Sequence, residues 1–135
     1  MEPVKIFIDT NILIDFFSGR MHDGKAARIM QVGRNPQYEF CTTILSAINT
    51  VYSRKYFRPD FHPSDIEKVV KVIPHTADCW KNAQSVPIDD FEDCIQTAEA
   101  VKYGCSAIVT SDHHFKNSPI KVFSPDEFLS CVTEK

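Results

Sequence analysis

Features of an exported or membrane-embedded protein are missing from this 135-residue chain. No apolar run approaches the roughly 20 residues that a bilayer-spanning helix needs. The amino terminus leads directly into an apolar run, Val4 to Ile8, and lacks the layout of a signal peptide. We therefore expect a cytoplasmic protein with no membrane contact.

The cysteines form no CxxC pair, and their number is odd. Their wide spacing argues against both a zinc site and a disulfide framework. Most have apolar neighbours, where an unpaired cysteine packs as a small hydrophobic side chain. We expect free thiols at all five positions, which are Cys41, Cys79, Cys94, Cys105 and Cys131.

An excess of positive charge is also missing, since the formal net charge is −3. This balance argues against coating of nucleic acid by bulk electrostatics, although a local basic patch remains compatible with it. No internal repeat, low-complexity tract or linker divides the chain. Its length therefore predicts one domain that covers residues 1–135.

Short apolar runs rich in β-branched residues alternate with helical patterns along the chain. This alternation predicts an α/β fold of three layers, α/β/α, with a central and mainly parallel sheet of the Rossmann-like type. Strands are expected at residues 4–8, 38–41, 70–74, 106–110 and 121–123. Helices are expected at residues 10–17, 24–32, 43–56, from 64, 77–83, 90–103 and from 125 onward.

Helix ends carry several local signals. Ser64 and Glu67 have the spacing of a capping box, and so do Ser124 and Glu127, with a proline at the first helical position in the second case. Asp89 or Asp90 is expected to cap the helix that stops at Gly104, and Gly19 is expected to stop the first helix.

Two of the apolar strands end in an aspartate. Asp9 directly follows Ile6 to Ile8, and Asp112 follows Ile108 to Thr110 with Ser111 between them. The carboxyl ends of parallel strands form the edge at which α/β proteins bind ligands. Each aspartate alone fits better as a cap of the next helix or turn than as a ligand. Two of them at one edge favour a shared site.

A third acidic group comes from the run Asp89-Asp90-Phe91-Glu92-Asp93. These charges repel one another unless a cation or a helix dipole offsets them. Asp93 lies one turn into the helix beside its apolar face, where a carboxylate is hardest to accommodate. We take Asp93 as a ligand, and Asp90 and Glu92 as capping or outer groups.

Carboxylates without an accompanying Cys/His set favour hard cations such as Mg²⁺ or Mn²⁺. Such ions activate water and stabilise charge on phosphoryl oxygens, so phosphodiester hydrolysis is the leading prediction.

A haloacid-dehalogenase-like phosphatase needs an acid where Asn11 stands. A phospho-receiver domain needs a lysine at the carboxyl end of the last strand, whereas Lys121 stands at its start.

Five segments together resemble the PIN-domain nucleases, which include the ribonuclease toxins of bacterial toxin–antitoxin pairs. They are Ile8 to Asp15, Thr43 to Asn49, Asp90 to Ala100, Ile108 to Asp112 with Phe115, and Ser124 to Leu129, and they span essentially the whole chain. The resemblance implies cleavage of RNA by Mg²⁺ or Mn²⁺ held on an acidic cluster. It also implies a small antitoxin partner and a homodimer.

The resemblance assigns roles to individual residues. The acidic ligands are Asp9, Asp93 and Asp112, and the polar residues that orient them are Thr10, Asn11, Thr110 and Asp90. The second acidic position of the family, usually a Glu, aligns with Asn49, whose amide can coordinate a cation but brings no charge. Two hypotheses follow: an active ribonuclease with a weakened metal site, or a degenerate PIN domain that binds RNA or protein without turnover.

Further candidates for RNA contact are cationic. Arg54, Lys55 and Arg58, interleaved with Tyr56, could contact phosphates and stack a base, but they also fit a solvated helix end. His113 and His114 could serve a leaving group, and Lys116 could contact RNA, but all three fit an ordinary surface loop.

Overall fold

The computed structural model describes residues 2–19, 24–112, 115 and 117–133. Within these ranges, five parallel strands form one sheet in the order β3-β2-β1-β4-β5. The strands are β1 Val4–Ile8, β2 Tyr38–Thr43, β3 Lys71–Ile73, β4 Ala107–Val109 and β5 Lys121–Phe123. The chain moves outward from β1 to β3 and then returns to the other side of β1, so the strand order reverses between β1 and β4.

Seven α-helices connect or follow these strands in the part of the chain that the structure describes. They are α1 Thr10–Ser18, α2 Lys25–Val32, α3 Ile44–Tyr52, α4 Ser64–Glu67, α5 Ala77–Ala83, α6 Phe91–Tyr103 and α7 Pro125–Thr133. None of them has the length and apolar character of a membrane-crossing helix.

Successive side chains of β1 alternate between two apolar clusters, one on each face of the sheet. Ile6 and Ile8 belong to one apolar cluster, with side chains from α1, α2, α4 and α7. Phe7 belongs to the other, with side chains from α5 and α6. Successive residues of a strand point to opposite faces, so helices cover both faces. The predicted three-layer α/β/α fold with a parallel sheet is confirmed.

Several predicted helix ends are confirmed. Ser124 and Glu127 form the reciprocal capping box, with bonds of 2.9 and 3.1 Å between side chains and backbone amides. Gly19 and Gly104 end α1 and α6 in the left-handed conformation, at φ 66° and 92°. That conformation is accessible to glycine at little cost, which is why the sequence signal is dependable.

The helix predicted over residues 43–56 is shorter, because α3 ends at Tyr52 and a separate 3₁₀ turn covers Arg54–Tyr56. The Thr50 hydroxyl bonds back to the Ser46 carbonyl at 2.8 Å, and the Ser53 amide reaches the Thr50 carbonyl at 3.0 Å. This tightening of the last turn converts the α-helix into 3₁₀ geometry.

The capping box predicted at Ser64 is wrong, although a helix does begin there. The His62 amide donates to Asp65 Oδ2 at 3.0 Å, and the Ser64 amide donates to His62 Nδ1 at 3.1 Å. The helix is a single turn, so Ser64 lies within it and Glu67 at its end. The residues before the helix therefore take over the capping.

All five cysteines are free, as predicted, and all but Cys131 are buried. The remaining differences concern strand ends: β2 extends two residues beyond the expected end, and β3 and β4 are each confined to three residues.

Candidate active site

Asp9 lies at the carboxyl end of β1 and caps α1, because its Oδ1 accepts the Thr10 amide at 2.8 Å. Its Oδ2 accepts from Thr110 Oγ1 at 2.7 Å and from Asn11 Nδ2 at 3.3 Å. Asp9 is 5% exposed. Burial raises the pKa of this carboxyl above its usual value, and the hydrogen bonds from Thr110 and Thr10 partly offset that rise.

The segment after β4 is tied to the start of α1. The Asp9 amide donates to the Val109 carbonyl at 3.1 Å, and the Ser111 amide donates to Asn11 Oδ1 at 3.1 Å. The Asp112 amide donates to Thr110 Oγ1 at 2.9 Å. Because of these bonds, Asp112 and Asp9 belong to one sheet edge, at the place where the strand order reverses.

Asp93 enters the same region from the first turn of α6. Asp90 caps that helix by accepting the Glu92 and Asp93 amides at 2.9 and 3.3 Å. Asp93 is 8% exposed. Burial raises the pKa of its carboxyl to about 7, and the charges of Asp90, Asp9, Asp112 and Glu92 contribute. The charges of Asp9, after β1, and Asp112, after β4, therefore act on Asp93 in α6.

Asn49 projects from α3 towards α6 and donates from Nδ2 to Glu92 Oε1 at 2.6 Å. An ionised carboxylate only accepts hydrogen bonds, so the Asn49 side-chain nitrogen, and not its oxygen, must face Glu92. The sequence predicts that Glu92 is a capping or outer group. In the structure, its charge adds to the larger effects that raise the pKa of Asp9 and of Asp93.

A buried polar chain connects the helices beneath the acidic groups. Thr10 Oγ1 donates to Ser46 Oγ at 2.8 Å, and Ser46 Oγ donates to Gln96 Oε1 at 2.8 Å. Sequence reasoning missed both Ser46 and Gln96. The available signal was their position, because each is a polar residue on the buried side of its helix.

The described residues of the site offer only oxygen donors for a cation and carry concentrated negative charge. No described residue donates a hydrogen bond to the carboxylate of Asp93. Among the described residues, no three His, Cys, Asp or Glu side chains already converge at metal-ligand spacing. Carboxylates repel one another without a cation between them, and hard cations prefer such oxygens. The donor set therefore fits Mg²⁺ or Mn²⁺, with Asp9, Asp93 and Asp112 available to hold it.

The predicted RNA-contacting cations are only partly described. Arg54 and Lys55, in the 3₁₀ turn after α3, and Arg58, two residues beyond that turn, are exposed. Arg58 makes a loose ion pair with Asp60 at 3.7 Å. His113, His114 and Lys116 lie outside the described residues. The RNA contacts of all six remain predictions.

The profile of the PIN domain family matches residues 5–114, and the chain therefore belongs to that family. It is 28% identical to ribonuclease VapC1 of Aquifex aeolicus over 143 aligned positions, which cover 95% of each chain.

Solved structures of related proteins share the fold. A toxin–antitoxin complex from Klebsiella pneumoniae superposes with a TM-score of 0.69 at 22% identity, over 89% of this chain and 97% of that one. VapC20 of Mycobacterium tuberculosis, described as a toxin that cleaves the sarcin-ricin loop, superposes with a TM-score of 0.61 at 19% identity, over 85% and 95% of the two chains.

Proposed function

We propose that this chain is a metal-dependent endoribonuclease, and that it is the toxin of a toxin–antitoxin pair. The observation that carries the proposal is the placement of three aspartates from separate elements at one sheet edge, where their charges act on one another: Asp9 after β1, Asp112 after β4 and Asp93 in α6. Similarity to a ribonuclease over 95% of both chains supports the same activity. We expect the protein to act in the cytoplasm.

Mg²⁺ or Mn²⁺ is the cofactor that the oxygen donors of the described residues suit, held by Asp9, Asp93 and Asp112. When bound, such an ion lowers the pKa of a coordinated water and stabilises charge developing on the phosphoryl oxygens. The protein's own contribution is to orient ligands: Thr110 and Asn11 hold Asp9, and Asp90 fixes the turn that carries Asp93. Without a cation, the carboxylates would repel the RNA phosphates.

The test is cleavage of a radiolabelled RNA pool by the purified full chain with Mn²⁺ or Mg²⁺. We expect activity that is lost on chelation and in Asp9→Asn. Asp89→Asn is the matched control, because it removes one exposed carboxylate from the acidic run without touching Asp9, Asp93 or Asp112. Cleavage that persists in Asp9→Asn and in the presence of chelator would reject the proposal.

Asn49 favours one alternative, a domain that binds RNA or protein without turnover. The amide brings no charge to a position at which the resemblance expects a carboxylate. This alternative predicts RNA retention in a gel-shift experiment and no metal-dependent cleavage under any of the conditions above. Reproducible cleavage that disappears in Asp9→Asn excludes it.

We further propose a homodimer, supported by the outer face of α3. Ile44, Ile48 and Tyr52 recur every fourth residue, which places them on one side of the helix, and they are 41%, 46% and 79% exposed. An apolar stripe of this kind marks an interaction surface. Light scattering should report a dimer for the wild type and a monomer for Ile48→Glu. A monomeric wild type would contradict the proposal.

An antitoxin partner is the last part of the proposal. It is supported by fold neighbours whose structures are toxin–antitoxin complexes, among them VapBC2 from Rickettsia felis, which has a TM-score of 0.68 at 12% identity over 90% of this chain and 98% of that one. We expect a small protein encoded beside this gene to copurify with the chain and to inhibit its RNA cleavage. An isolated gene, or a neighbour product that does neither, would contradict this part.

A further inference from the structure

We propose that Glu92 is the fourth carboxylate of the metal site and that Asn49 is the residue that positions it. The acidic group expected on α3 is then supplied from α6, and the neutral residue on α3 becomes its anchor. This inference rests on the proposed function, because it concerns the same metal site.

In the contact between the two side chains, Asn49 is the hydrogen-bond donor and Glu92 is the acceptor. Asn49 Nδ2 lies 2.6 Å from Glu92 Oε1, and only the amide nitrogen can donate to a carboxylate. A hydrogen bond that involves a charged acceptor is stronger than one between neutral groups. Asn49 therefore restrains an exposed glutamate that would otherwise sample many rotamers in solvent.

The restrained carboxylate contacts α3 at Asn49, the position at which the resemblance expects an acidic ligand. Its charge acts on Asp9, at the end of β1, and on Asp93, in the same helical turn. The backbone of that turn is itself fixed, because the Glu92 amide donates to Asp90 Oδ1 at 2.9 Å. Glu92 thus approaches the acidic groups from the direction of α3.

Asp93 supplies an independent indication that a cation belongs among these groups. As a whole residue Asp93 is 8% exposed, its carboxylate receives no hydrogen bond from a described residue, and the charges of Asp90, Asp9, Asp112 and Glu92 act on it. Burying a carboxylate without a partner is costly. A divalent cation shared with Glu92 would offset that cost, and four carboxylates would then surround it.

The experiment is calorimetric titration of the metal-free full chain with Mn²⁺ alone, which does not depend on RNA cleavage. Relative to wild type, we expect Glu92→Gln to weaken Mn²⁺ binding by about 100-fold, and Asn49→Ala by about tenfold, the lower end of the scale seen when supporting groups of metal sites are removed. Asp89→Asn is the matched control for loss of one charge from the acidic run, and we expect its affinity to match wild type.

A double-mutant cycle shows whether Asn49 affects Mn²⁺ affinity through Glu92 or independently of it. If Asn49 acts through Glu92, Asn49→Ala has no further effect on Mn²⁺ affinity in the Glu92→Gln background. Additive effects of the two substitutions would overturn the positioning role. Equal affinities of Glu92→Gln and Asp89→Asn would overturn the role of Glu92 as a ligand.

Asp9→Asn distinguishes failure of this inference from failure of the proposed function. If wild type binds Mn²⁺, Asp9→Asn loses it and Glu92→Gln does not, only the present inference fails. If wild type binds no Mn²⁺, the metal-dependent function and this inference fail together. Far-ultraviolet circular dichroism of each variant confirms that the comparison is made between folded proteins.

Discussion

Thr110 links two of the acidic residues through a single hydroxyl, across 101 positions of sequence. Its Oγ1 donates to Asp9 Oδ2 at 2.7 Å and accepts the Asp112 amide at 2.9 Å. One oxygen therefore orients a buried carboxylate and also shapes the turn that carries the next one.

Thr110→Val should weaken Mn²⁺ binding by about tenfold, since the substitution keeps the side-chain shape and removes the hydroxyl that orients Asp9. Calorimetric titration of the metal-free protein measures the effect. Thr110→Ser retains the hydroxyl and is the control, with affinity close to wild type. Equal losses in both variants would show that packing of the methyl group, and not the hydrogen bond, supports the site.

Asp93 should make the metal-free protein less stable as pH rises. Its pKa is raised from 3.8 to about 7 in the folded state, so between these values the folded chain binds a proton that the unfolded chain has lost. Stability from this group therefore falls as pH rises from about 4 to 7 and is constant above. We expect the melting temperature in chelator to fall between pH 5 and pH 8, and Asp93→Asn to reduce that fall.

Other groups also titrate in this interval, so the informative quantity is the difference between wild type and Asp93→Asn. The variant should be the more stable of the two at pH 8 without metal, and Mn²⁺ should stabilise only the wild type. Identical pH profiles for the two proteins would contradict the raised pKa of Asp93.

Local signals explain which parts of this molecule the sequence predicts well. The run from Ile6 to Asp9 contains both a buried strand and its terminal carboxylate, and the capping box of Ser124 and Glu127 lies within four residues. In each case the interacting groups are neighbours along the chain, so composition and spacing are sufficient.

The parts that sequence reasoning missed depend on tertiary contacts. Asn49 and Glu92 are separated by 43 positions, and nothing in either segment indicates that α3 brings its amide to α6. Ser46 and Gln96 are likewise joined across 50 positions. The end of α3 at Tyr52 was missed for a more local reason, namely competition from the Thr50 hydroxyl for a helix carbonyl.

His75 should contribute to stability through Glu99, outside the candidate active site. The Glu99 side chain is almost fully buried, one oxygen contacts His75 Nδ1, and the other has no hydrogen-bond partner among the described residues. Burial raises the pKa of this carboxyl, and His75 partly offsets the rise. His75→Ala should lower the free energy of unfolding by about 1–3 kcal/mol, because the buried carboxylate loses its partner.

The matched test is urea unfolding at pH 7 of His75→Ala with and without Glu99→Gln. A neutral amide is cheaper to bury than a carboxylate, so the second substitution should recover part of the loss. If the double variant is no more stable than His75→Ala, the loss comes from packing of the imidazole and not from the unpaired charge.

Gly33 is expected to be required for space and not for backbone conformation. Its φ is −64°, which any residue adopts, but a Cβ built there would lie 2.6 Å from Phe40 Cδ2, in the core. Gly33→Ala should therefore cost about 1–3 kcal/mol of unfolding free energy through overpacking. Phe40→Leu removes the ring, so the same alanine substitution should cost less in that background, as measured by urea unfolding. An equal cost in both backgrounds would show that the ring does not set the requirement for glycine.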